Sequence, residues 1–119
     1  MLFRSLPQNT LDPVDAVINP LTAGPGEGLP AAATGQRYLI LDDMGGDTAA
    51  WGSFAGARAN DIIEYDGEFW FVAFEAAAQT TNVEFVTNIT TGLQYRWTTT
   101  EWVKSYEGLY PAGEWSLVL

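Results

Sequence analysis

Two side-chain chemistries are missing from this 119-residue chain altogether: it has no cysteine and no histidine. Without cysteine there is no disulfide framework. Without histidine the usual zinc ligands, the Cys–His and Ser–His couples and the commonest general base near neutral pH are gone as well. Positive charge is scarce. Five basic residues (Arg4, Arg37, Arg58, Arg96 and Lys104) face fifteen acidic ones, for a formal charge of −10. Such a surface repels nucleic acid and anionic lipid, so neither is expected as a partner. No apolar run approaches the length of a membrane span. The opening "MLFRSLPQNT" lacks a signal peptide's apolar centre, and no Sec export is expected from it. The Asn88-Ile89-Thr90 sequon is accordingly read as a coincidental match.

What is present divides unevenly. Residues 1–35 hold five of the six prolines but a single aromatic, Phe3. Proline removes a backbone donor and pushes its predecessor toward extended geometry, which excludes both helix and central strand. "AGPGEGLPAAATG" reads as an irregular connector. Its Gly24, Gly26 and Gly28 imitate a nucleotide fingerprint, but no strand precedes them and no helix follows. The apolar Leu2, Phe3, Leu6, Leu11, Val14, Val17 and Ile18 argue that this segment lies against something, either its own domain or a neighbouring subunit. Residues 1–35 are therefore expected to form an extended Pro-rich assembly arm, with Leu2, Phe3, Leu6, Leu11, Val17 and Ile18 as its contacts.

Residues 36–119 read as an antiparallel all-β domain. "QRYLILDD", "DIIEY", "EFWFVAFE", "VEFVTNI", "LQYRW", "EWVKSY" and "EWSLVL" are short, rich in β-branched and aromatic residues, and separated by turn chemistry. Asp66-Gly67 predicts a type I′ hairpin, and Gly92 and Gly113 mark further turns. "DTAAWGSFAGARAN" supports no more than a short helical turn, because its internal glycines each cost about 1 kcal/mol relative to alanine. The expected fold is a small SH3-like barrel, with an open β-sandwich second and a core containing Ile63, Trp70, Val72, Phe85, Tyr95 and Trp97.

Two stretches repeat a pattern: "EYDGEFW" and "YRWTTTEW" each place a Trp five positions after an aromatic. Side chains alternate along strands, so Tyr65 should share a face with Trp70, and Trp97 with Trp102. Packing alone could account for both pairs. Aromatics that stay exposed would stack on sugars or bury a partner's apolar patch, and Trp102, Tyr106, Tyr110 and Trp115 are the candidates. Asp42, Asp43 and Asp47 cluster, but without EF-hand spacing, and read as a solvated turn. Ser5, Ser53, Ser105 and Ser116 lack a nucleophile elbow. No catalytic residue, metal or cofactor is expected, and an acidic-pair hydrolase is the least favoured reading.

The ordered series "YLILDD", "NDIIEYDG", "TGLQYRW", "WVKSYEG" and "GEWSLVL" resembles virion structural proteins of T-even-like bacteriophages, particularly those of marine cyanobacteria. The resemblance runs from about Gly24 to Leu119. It implies a non-enzymatic neck- or tail-associated protein that assembles with other virion proteins, and with copies of itself, in the host bacterial cytoplasm. It implies no catalytic residues. A carbohydrate-binding module on a tail or fibre, contacting the host surface, is the alternative.

Overall fold

The computed structural model describes residues 8–44, 51–52, 54 and 56–105. They form nine short strands and the 3₁₀ turn Ala76–Ala78, and no α-helix occurs among the described residues. In chain order the strands are β1 (Ala16–Ile18), β2 (Gly24–Pro25), β3 (Gly28–Leu29), β4 (Arg37–Ile40), β5 (Ile62–Tyr65), β6 (Trp70–Phe74), β7 (Glu84–Asn88), β8 (Leu93–Trp97) and β9 (Trp102–Lys104). A four-stranded sheet runs β1-β4-β5-β6, a three-stranded sheet runs β7-β8-β9, and β2 pairs with β3 alone. The protein is all-β.

The four-stranded sheet is covered on both faces. That is why "YLI" and "II" read as continuous apolar runs with no alternation. Tyr38, Ile40, Ile63 and Trp70 pack on one face against Met44, Trp51 and Ala57 from the β4–β5 connection. Leu39, Ile62 and Phe74 pack on the other against Val86 and Trp97 of the three-stranded sheet. Of the expected core, Ile63, Trp70 and Trp97 are buried, while Val72, Phe85 and Tyr95 are only partly so.

Among the described residues the sheets are not closed into the SH3-like barrel that the strand pattern suggested. The reason lies after β6, where the chain turns through the 3₁₀ segment Ala76–Ala78 instead of pairing onward. The carboxylate of Asp61, itself buried, accepts the Ala76 N–H at 2.8 Å and the Arg58 N–H at 3.0 Å. That anchor carries the chain into a second layer. The strand expected in "EWSLVL" lies outside the described residues.

The N-terminal segment was expected as an extended arm lying on either its own domain or a neighbouring subunit, with antiparallel strands beyond it, and β4 to β9 do pair antiparallel. From Thr10 the segment is built into the domain. The Thr10 and Leu11 N–H groups donate to the Phe85 carbonyl and Val14 N–H to that of Thr87, while Val14 accepts from Ile89 N–H. Two residues later β1 leaves this sheet and pairs in parallel with β4, Val17 opposite Leu39. One short segment thus stitches both sheets together. Leu11, Val17 and Ile18 pack on the chain's own core, and Leu2, Phe3 and Leu6 lie outside the described residues. The parallel pairing is possible because residues 19–36, with their turns and the β2–β3 pair, form a crossover long enough to return the chain to the same end.

Candidate functional site

The two aromatic hairpins pair as their spacing requires. Tyr65 stands opposite Trp70 across β5–β6, with ring centroids 5.0 Å apart, and Trp97 stands opposite Trp102 across β8–β9 at 5.4 Å. Their surroundings differ.

In the second hairpin both rings face inward. Phe74 closes on Trp97 at 5.8 Å and on Trp102 at 5.4 Å. The Trp97 indole N–H donates to the Gln79 carbonyl at 2.7 Å and that of Trp102 to the Asn60 carbonyl at 2.8 Å. Trp102, expected as an exposed platform, is therefore half-buried and tied by its polar edge to the β4–β5 connection. Tyr106, Tyr110 and Trp115 lie outside the described residues.

The first hairpin forms a wall. Trp51 meets Trp70 edge-on at 4.9 Å and Tyr38 at 6.0 Å, and its indole N–H donates to the Pro20 carbonyl. A cavity of ≈ 320 Å³ opens between this cluster and the hairpin turn, lined by Trp51, Gly52, Phe54, Tyr65, Glu68, Phe69 and Trp70. Phe69 stands at its mouth, 68% exposed, and Phe71 two residues on is 39% exposed.

The turn between β5 and β6 fixes where Glu68 and Phe69 stand. Asp66 N–H donates to the Phe69 carbonyl, and the Asp66 carboxylate accepts the N–H of both Glu68 and Phe69. These backbone donors, Phe69's foremost, hold the Asp66 carboxyl below the usual carboxylate range. Positive φ occurs at Gly67 and not at Glu68, the pattern of a type II′ turn and not the expected type I′. Thr34 lies against the turn, so a Cβ at Gly67 would sit 2.7 Å from the Thr34 hydroxyl.

A second, more open cavity of ≈ 380 Å³ lies beside Arg58, Asp61, Thr99 and Thr100, between the β4–β5 connection and the β8–β9 turn. Neither cavity was legible in the sequence, because both depend on connections without periodicity. The clustered acids are partly used: Asp42 accepts from the Asn19 amide and Asp43 from Ala59 N–H, and Asp47 lies outside the described residues. The sequon asparagine is buried, its side-chain oxygen accepting Thr90 N–H. Comparison of the chain with protein-family models, with curated proteins and with solved structures finds no match.

Proposed function

We propose that this chain is a non-enzymatic structural protein of a bacteriophage virion, placed in the neck or tail, assembled in the host cytoplasm and working through contacts with other virion proteins and with its own copies. One observation carries the reading. β6 is an outer strand of the four-stranded sheet, and "FWFVAF" along it contains no proline, lysine or other charge to blunt its edge. Natural sheets guard exposed edges against pairing with another chain. Among the described residues no further strand pairs with β6, and exposed Phe69 and Phe71 at this outer strand fit a surface that another subunit covers. The resemblance of the ordered segments to virion proteins supplies the setting, and a sequence without histidine or cysteine agrees with a role that needs no Cys–His or Ser–His couple.

Immunogold labelling of intact particles, with an antibody against the purified chain, tests this. Label confined to the neck or tail is the expected result. A chain found only in the soluble fraction of the lysate, with unlabelled particles, would overturn it.

A further inference from the structure

The aromatic cavity beside the β5–β6 turn has a composition that selects among ligands. Among the described residues that line it, five of seven are aromatic and Glu68 alone is charged. Among the described residues no cation lines the cavity and none pairs with Glu68. Arg37 is engaged with Glu64 on β5, and Arg58 lies at the other cavity. A second carboxylate, Asp66, sits two residues before Glu68 in the same turn and is held ionised by its backbone donors.

Three kinds of occupant can be weighed. A purely apolar group would strip water from Glu68 without replacing it, at the cost of burying an unpaired charge. A saccharide presents several hydroxyls that need partners. Against them the lining offers the Glu68 carboxylate and the Tyr65 phenol, while the Trp51 indole N–H is already committed to Pro20. A cation meets both features at once: ring faces attract it through their quadrupole, and the carboxylate neutralises it. Arginine suits the site better than lysine, since its planar guanidinium stacks on rings and pairs with a carboxylate through two N–H groups.

We propose that this cavity is a socket for an arginine side chain carried by a partner protein, set against the accessible rings of Phe54, Tyr65 and Phe69 above the buried Trp51 and Trp70, and paired with Glu68. The charge of the whole chain, −10, favours a basic partner over a second copy. That the arginine comes from a virion neighbour rests on the assembly reading above, but the socket itself does not. Because the turn is held by Asp66, Glu68 and Phe69 are presented from a fixed frame, which lowers the ordering cost of binding.

The test is an NMR titration of the intact chain with the peptide Gly-Ser-Arg-Ser-Gly, with the same peptide carrying citrulline for arginine, and with maltotriose. The arginine peptide should shift the Trp51 and Trp70 indole N–H signals and the Glu68 and Phe69 amides. Citrulline, equal in shape but uncharged, should bind at least about five-fold more weakly, and Glu68→Gln should weaken the arginine peptide by a similar factor. Phe69→Ala, a surface change, should also reduce binding while the remaining spectrum stays folded. Equal binding of the citrulline peptide, no effect of Glu68→Gln, or no shift with any probe would overturn the socket. Larger shifts of the same signals with maltotriose would make it a glycan site instead. A null titration together with labelled particles removes the socket alone. Arginine binding together with unlabelled particles removes the assembly reading alone.

Discussion

The two aromatic hairpins begin from the same arrangement, an aromatic and a Trp facing each other across a turn, and end in different surroundings. Trp97 and Trp102 have Phe74 against them, and both indole N–H groups are bonded to carbonyls of the chain. Tyr65 and Trp70 have Trp51 against one side and an open cavity on the other. A cross-strand aromatic pair contributes up to about 1 kcal/mol in either place. What separates them is what the intervening chain brings alongside. The 3₁₀ turn and the Asn60 region close over the second pair, while the turn at Asp66–Phe69 leaves Phe69 in solvent beside the first. Identical spacing therefore specifies a pair but not its use.

The change expected to break the comparison completely is removal of residues 1–18. Both sheets depend on this segment, through Val14 on one side and β1 on the other. The truncated chain should lose its cooperative thermal transition, which far-ultraviolet circular dichroism would show. A truncated chain that melts like the intact one would mean the stitching contributes little.

Next in size is Trp97→Ala. It empties a buried site shared with Phe74 and orphans the Gln79 carbonyl, so a loss of about 3–5 kcal/mol in urea unfolding is expected. Gly67→Ala should cost less, about 2 kcal/mol, from a φ of 105° and the approach to Thr34. Adding Thr34→Ala should recover only part of that loss, since it relieves the contact and not the backbone.

These effects also mark how much of the molecule was readable in its sequence. Strands β4 to β9 follow from their β-branched and aromatic runs, and Tyr65–Trp70 and Trp97–Trp102 pair as their spacing dictates. The parallel placement of β1 was not readable, because "AVI" is too short to show a period and its prolines argued for an arm. Its pairing is fixed by a crossover of Gly/Pro-rich chain and by burial of Val14 and Ile18. The open sheets also escaped the pattern. The deciding feature is Asp61, whose buried carboxylate looks in the sequence like any turn residue. The cavity had no local signal, since Trp51 and Phe54 reach it from the β4–β5 connection, far in the chain from the turn that holds Glu68 and Phe69.

A smaller effect comes from pH. Burial, assisted by the nearby Asp15 carboxylate, raises the Tyr38 phenol above its ordinary value. The unfolded chain then releases this proton at lower pH than the folded one. Stability is fully present below pH about 10 and declines as the pH rises past it. Unfolding midpoints measured from pH 8 to 11 should fall at the alkaline end, and Tyr38→Phe should flatten that fall.

The smallest expected change in stability belongs to Phe69→Ala, within about 0.5 kcal/mol of the unaltered chain, because the ring is mostly in solvent. Set beside Trp97→Ala, it gives the most direct test of a core hairpin and a contact hairpin in one small domain. The measurement is the amount of each variant recovered in purified particles, with the urea midpoint of the same preparations. Phe69→Ala should keep its midpoint and lose incorporation, whereas Trp97→Ala should lose its midpoint. Normal incorporation of Phe69→Ala, or a midpoint that falls as far as that of Trp97→Ala, would contradict the division.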